Sequence, residues 1–395
     1  MAFDVLNPTP EHLEIRKMIR DFAEREVEPQ AAAHDRAEKP NIALLRRLGD
    51  LGLLGITVPT RFGGSGLDAT AAVIAHEELA AVDPGLTLAY LAHSILFANN
   101  LAHNGDDAQR ERLLPDACSG RTIGGTAMTE TTSGTDTMTM ATTARLEGDH
   151  YILDGRKMWI TNGSLGDDEL GDVFLVYART AGSGPRSVSL FVVEKGMPGF
   201  SLGQTIHGKL GMRASSTAEL VFDGCKVPVG NRVGGEGTAI FNMMRTFEIE
   251  RLTMAAMGLG IARRCFEIMN RYASERAAFG KPIRTYGQIQ CHLAESYAEL
   301  MAGRSYVYRV AYEMSTGEES ASRGLDADGV KLYCATMAKN VADRAIQVLG
   351  AYGYTGEYVV ERLWRDARLL EIGGGTLEAH QKNITQNLRR FAKLP

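Results

Sequence analysis

Apolar residues recur at three-to-four spacing early in the chain, in Leu13, Ile15, Met18, Ile19 and Phe22 and again in Leu44, Leu45, Leu48 and Leu51. That period predicts amphipathic helices through a first segment, residues 1–122. The pattern then changes to short β-rich runs at 151–153, 173–177, 188–193 and 218–222, punctuated by Gly, Asp and Pro. Several short strands at such spacing predict a small sandwich or barrel over residues 123–236. A Gly-rich connector at 230–237 leads into a third segment, 237–395, that reads as helix almost to its end. The expected fold class is α+β, in three parts ordered helical, β, helical.

Composition narrows the class without naming a function. A chain of 395 residues with 44% hydrophobic content can form roughly two to three domains with substantial cores. A net charge of −5 supplies no basic face for nucleic acid, while small anionic ligands held by local Arg clusters stay open. Cys118, Cys225, Cys265, Cys291 and Cys334 are odd in number, scattered and without CxxC spacing, which predicts free thiols, no zinc site and a reducing compartment. The nine histidines show no metal-ligand spacing either, so no metal is expected. No basic or Arg-rich leader opens the sequence and no apolar run reaches membrane length. A cytoplasmic protein off the membrane is therefore expected. The glycines at 63, 64 and 66 follow no strand and precede no Lys, which makes them a loop and not a phosphate cradle.

Read alone, the polar positions with chemical promise leave alternatives. Glu250-Arg251 lies in a run with Ile240, Phe241, Met243, Met244, Phe247, Ile249 and Leu252, apolar on several faces. A Glu there is either one half of an ion pair with Arg251 or a carboxylate held for proton chemistry. Residues 157–163, Lys-Met-Trp-Ile-Thr-Asn-Gly, read by themselves as a strand ending in an Asn-Gly turn.

Together the motifs resemble the acyl-CoA dehydrogenase family over the whole chain, closest to its isovaleryl-type members. Residues 129–136, Thr-Glu-Thr-Thr-Ser-Gly-Thr-Asp, are similar to the family's first signature, with Thr131 where Pro is usual and Thr135 where Ser is usual. Residues 157–163 resemble its flavin-facing segment, which implies Trp159 beside the isoalloxazine ring and Thr161 on the redox-active nitrogen. Residues 209–217 resemble its K-x-G-x-R-x-S stretch, and 362–368 its R-x-x-R-D-A-R run. Residues 276–280 match R-x-x-F-G, implying that Arg276 reaches the FAD pyrophosphate across a subunit interface and Phe279 packs on the adenosine end. The family's following Gln corresponds to Gln288, one residue farther along than in isovaleryl-type members, and Q-x-x-G-G corresponds to Gln347, Gly350 and Ala351. The resemblance adds Thr126, Met128, Thr129, Thr135, Thr376 and Glu378 to the implied FAD site.

Residues 372–376, Ile-Gly-Gly-Gly-Thr, resemble the active-site turn in which many members carry the catalytic Glu just before Gly-Thr; here that position is Gly374. Isovaleryl-type and long-chain members carry their base where Glu250 stands, at the same distance from the R-x-x-F-G motif. The resemblance thus implies Glu250 as the α-proton base, with the Gly374 N–H and a ribityl hydroxyl of FAD binding the thioester oxygen. Leu88 and Ala92, just before His93-Ser94, stand where isovaleryl-type members shape a short branched acyl cavity; Phe241, Arg251, Gly375 and Thr135 complete the implied substrate set. Also implied are a C-terminal four-helix bundle, a homotetramer built as a dimer of dimers, an electron-transferring flavoprotein as acceptor, and a place in fatty acid or branched-chain amino acid metabolism. Three other readings differ in carrier, chemistry or class: a dehydrogenase of acyl-carrier-protein thioesters, a flavin oxidase or monooxygenase, and a nucleic-acid-associated relative, which the acidic charge and the retained Glu250 disfavour.

Overall fold

Side-chain caps start the first helices where the sequence supplies Thr, Asn or Asp before an apolar run. In the computed structural model, which describes residues 4–166, 169–180, 182, 184, 186–316 and 322–391, α1 (Pro10–Phe22) opens on Thr9, whose hydroxyl accepts the His12 N–H. After α2 (Glu28–Ala37), α3 (Ile42–Asp50), α4 (Ala69–Ala80) and α5 (Pro84–Leu91) open in the same way on Asn41, Asp68 and Asp83. A π-helical segment, Ala92–Asn99, carries α5 without a break into α6 (Asn100–Asn104), and α7 (Asp107–Cys118) closes the segment.

The β segment comprises β1 (Gly124–Ala127), β2 (Thr143–Glu147), β3 (His150–Thr161), β4 (Val173–Arg179), β5 (Val188–Glu194), β6 (Phe200–Thr205), β7 (Thr217–Pro228) and β8 (Arg232–Val233). Their order is β6-β7-β3-β2-β4-β5-β8, with β1 parallel to β4. A single pair, Thr143 with Arg179, joins β2 to β4, so the sheet bends there into two halves. Phe174, Val176, Phe191 and Val193 on one half pack against Leu153, Leu220 and Phe222 on the other, as in a sandwich. The opposite face of β4 and β5, with Leu175, Tyr177, Leu190 and Val192, packs on Phe97, Leu101 and Leu114 of the helical segment. Burial on both faces explains why β4 and β5 read as near-continuous apolar runs.

The third segment contains α8 (Ala239–Glu275), a hairpin of β9 (Ala277–Ala278) and β10 (Lys281–Pro282), then α9 (Gly287–Ser315), α10 (Arg323–Leu349), α11 (Ala351–Tyr354), α12 (Val360–Leu370) and α13 (Leu377–Leu388). Helices α8, α9 and α10 pack on one another, and α12 and α13 pack on α10. This bundle is continuous with the first segment: α4, buried at every residue, shares one core with α8, α9 and α10. A buried charge cluster crosses the junction. Arg16 Nη1 donates to Glu78 Oε1 at 2.6 Å and to Glu77 Oε2 at 3.2 Å, its Nη2 donates to Tyr308 Oη at 2.6 Å, and Arg263 Nη2 donates to Glu78 Oε2 at 2.8 Å. No helix of the described residues is long and apolar enough to cross a membrane.

Removing one member of such a cluster strands its partners. Glu78→Ala is expected to lower stability by about 3–5 kcal/mol, read by urea denaturation at fixed protein concentration; a loss below about 1 kcal/mol would contradict the role given to the cluster.

Candidate active site

Glu250 lies in the first half of α8 with only 7% of its surface exposed. Burial pushes its carboxyl up to about 7, against the opposing pull of the Arg251 and Lys331 charges. Among the described residues no cation forms a salt bridge with it. The pairing with Arg251 that adjacency allows is not made: Arg251 turns to Asp328, Nη1 to Oδ1 at 3.3 Å, and lies over the Phe247 ring. The first of the two readings of Glu250-Arg251 is thereby set aside.

The turn after α12 comes up against this carboxylate. Gly373 N–H donates to Leu369 O at 2.8 Å, and Gly374 and Gly375 then take φ of 63° and 97°, in the left-handed region that favours glycine. A Cβ on Gly374 would lie 3.4 Å from Glu250 Oε1 and would collide with Met254 Sδ. The space a side chain at 374 would take is thus shared by Met254 and the Glu250 carboxylate. Among the described residues the Gly374 N–H has no hydrogen-bond partner. Thr376 ends the turn by capping α13, its Oγ1 accepting the Ala379 N–H at 3.3 Å.

A second group of predicted residues meets on the β segment. The β3–β7 register slips between Lys157 and Ile160, and within that bulge Trp159 has φ of 66° and an indole 57% exposed. Positive φ is strained for a bulky side chain and needs support from its surroundings. Fully buried Lys157 supplies part of it, its Nζ donating to Glu130 Oε1 at 2.7 Å and Met128 O at 3.0 Å, while Glu130 accepts the Ala141 and Thr142 N–H groups. Met158 N–H donates to Thr129 O at 2.8 Å, which holds Thr129 against the same strand. The backbone of Gly125 approaches Thr161 O so closely that a Cβ would lie 2.8 Å from it. Asn162 Nδ2 donates to Ala89 O at 2.9 Å and Gly124 O at 3.1 Å, fixing the end of β3 to the helix that carries Leu88 and leads into Ala92. An exposed indole beside the half-buried Thr126, Met128, Thr129 and Thr161 fits one face of a flat heteroaromatic group.

Other predicted residues lie elsewhere. Arg276 ends α8, and Phe279, with φ of 50°, forms the hairpin tip with Gly280 and is 97% exposed. Gln288, Gln347, Gly350 and Ala351 also face solvent in the single chain, at the start of α9 and around the break between α10 and α11. The left-handed φ of that break falls on Gly350, which leaves Ala351 free to begin a helix. Leu88 is half-buried, Ala92 buried, and Phe241 and Thr135 exposed, as is Glu378. Sequence reasoning missed Lys331, Asp328, Met254 and His380. Lys331 had left a signal: it interrupts the apolar stripe of Ala327, Val330, Cys334, Ala335 and Ala338.

The chain is similar to known proteins over nearly its whole length. The acyl-CoA dehydrogenase N-terminal, middle and C-terminal domain families match residues 9–121, 125–225 and 235–389 in turn. Mitochondrial isovaleryl-CoA dehydrogenase of Pongo abelii is 40% identical over 376 residues, 94% of this chain and 87% of that protein. The short-chain-specific acyl-CoA dehydrogenase of Clostridium acetobutylicum is 37% identical, with 97% and 99% covered. Among solved structures, butyryl-CoA dehydrogenase of Megasphaera elsdenii superposes with a TM-score of 0.92 at 32% identity, with 97% and 99% covered.

The raised carboxyl of Glu250 has a stability consequence with a definite sign. Below its unfolded value near 4.5 the group is neutral in both states and costs nothing; the cost grows as pH rises to about 7 and is constant above. Glu250→Gln is therefore expected to be about 3 kcal/mol more stable than the parent at pH 8 and within about 0.5 kcal/mol of it at pH 4.5, by chemical denaturation at both pH values. A stability difference independent of pH would count against an ionisable, counterion-free Glu250.

Proposed function

The chain belongs to the acyl-CoA dehydrogenase family of oxidoreductases, and on that premise we propose that it catalyses FAD-dependent α,β-dehydrogenation of a short or branched-chain acyl-CoA, isovaleryl-CoA-like, to the 2-enoyl thioester. The observation that carries this reading is Glu250: a buried carboxylate that has no counterion among the described residues, beside a glycine turn whose Gly374 N–H meets no acceptor among them. The α-proton of a thioester is weakly acidic, and a base in a dry site works best with a pKa raised toward the operating pH. Glu250 takes that proton. The Gly374 N–H donates to the thioester oxygen, where negative charge grows as the proton leaves. Trp159, Thr161, Thr126 and Thr129 would hold FAD, the indole stacking and the hydroxyls bonding, and FAD when bound would supply the acceptor for the β-hydrogen as hydride.

Arg276, Phe279, Gln288, Gln347, Gly350 and Ala351 are exposed in the single chain, which supports their serving the dinucleotide of a neighbouring subunit in a homotetramer. Leu88, Ala92 and Phe241 wall the acyl group. The identity to isovaleryl-CoA dehydrogenase supports a branched acyl chain, and the short-chain-specific and butyryl-CoA relatives support a short one. An electron-transferring flavoprotein is the acceptor this reading carries.

Anaerobic flavin bleaching against a panel of acyl-CoA thioesters tests the reading. Isovaleryl-CoA or another short or branched substrate should bleach fastest; bound FAD that none of them bleaches would redirect the assignment to carrier-protein thioesters or oxygen chemistry. In the same assay Glu250→Gln should keep its flavin and lose at least about two to four orders of magnitude in rate. The parent kcat/KM should fall as pH drops through about 7, because protonation removes the base.

A further inference from the structure

Lys331 is a fully buried ammonium whose hydrogen bonds all go to the backbone carbonyls around the glycine turn: Leu370 O at 2.5 Å, Gly373 O at 3.0 Å and Gly375 O at 3.4 Å. Among the described residues no carboxylate lies within ion-pair distance of it. One turn earlier on α10, Asp328 Oδ1 faces His380 Nδ1 at 2.6 Å and also draws in Arg251 and Asn383, each at 3.3 Å. The other ring nitrogen of His380, Nε2, lies 3.1 Å from Gly375 O, and a ring nitrogen facing a carbonyl can only donate. The Gly375 carbonyl is thus held by donors from two helices, and that of Gly373 by Lys331.

Such clamping matters because of what the turn is made of. Three consecutive glycines, 373–375, lack the Cβ atoms that would confine their backbone, and two of them sit at positive φ. Left to themselves the peptide planes could swing. A trans peptide is planar, with its C=O and N–H pointing in opposite directions, so whatever holds the Gly373 carbonyl also aims the Gly374 N–H in the same plane. Lys331 draws that carbonyl toward α10 and turns the N–H away from itself, and among the described residues this N–H meets no protein acceptor.

We infer that Lys331, assisted by the Asp328–His380 pair, is a positioning residue that fixes the Gly374 N–H as the thioester-oxygen donor, restoring to a glycine turn the rigidity its sequence lacks. The inference rests on the thioester reading given above. A hydrogen-bond donor is worth most where it is preorganised, since no reorganisation is then needed as charge develops.

The test compares two ligands by anaerobic calorimetry on the holoenzyme: a short 3-oxoacyl-CoA, whose enolate carries charge on the thioester oxygen, and the S-alkyl-CoA thioether of equal length, which has no such oxygen. Wild type should prefer the 3-oxoacyl thioester. In Lys331→Met that preference should fall about ten-fold or more, with thioether affinity kept within about three-fold and the loss in turnover appearing in kcat more than in KM. A lysine that only stabilised the fold would weaken both ligands alike or neither. If Lys331→Met fails to fold, His380→Gln carries the test, with an expected fall in preference of about three-fold or more. Folded variants that keep the wild-type preference overturn the clamp alone. A wild type that binds both ligands equally overturns the oxyanion role of Gly374, and the clamp with it.

Discussion

Taking the Glu250 carboxylate out of water on α8, with no salt-bridge partner among the described residues, opposes folding, because desolvation disfavours the charged form, and the surrounding structure is arranged around that cost. Arg251, the nearest cation in sequence, is drawn off to Asp328, and Lys331 gives its protons to carbonyls. Both act on Glu250 only through space. They lower the carboxyl part of the way and leave it near neutrality, where a base is strong and still ionised in use. A direct ion pair would have stabilised the charge and made the proposed base weaker.

Two backbone segments take unusual conformations, and each is held by a buried lysine. At the β3 bulge Lys157 bonds Glu130 and the Met128 carbonyl beside Trp159; at the glycine turn Lys331 bonds Gly373 and Gly375. Burial pushes each ammonium down to about 8, with Glu130 opposing the shift in one case and Glu250 the largest opposing influence in the other. Three protons on a tetrahedral nitrogen suit this task, since a single side chain can satisfy several carbonyls that would otherwise be buried without partners. Conformational strain and its support therefore lie together at the places where the proposed chemistry needs fixed geometry.

Much of this architecture was legible along the chain. The periodic apolar positions at 13–22 and 44–51 fall on α1 and on α3 with its C-cap, and β4 and β5 coincide with the apolar runs of the middle segment. Strands β2 and β6 gave no clear signal because they carry few buried positions, and β1 has two glycines in four residues. The exchange of a carboxylate at 374 for one at 250 was visible as a pair of compensating departures from a motif. The partner of Arg251 was not, because Asp328 lies 77 positions away and adjacency favoured Glu250.

By itself the sequence determined the elements and the residue types available to the site: apolar periodicity sets which faces are buried, and caps and glycines set where helices stop. It also placed Glu250 in an apolar helix and left position 374 without a side chain. Only the tertiary structure decided that Arg251 pairs with Asp328 and not with Glu250, that Met254 shares the space beside Gly374, and that Lys331 and His380 hold the turn. Those outcomes depend on how α8, α10, α12 and α13 pack, and packing brings together residues whose separation along the chain carries no trace of their contact.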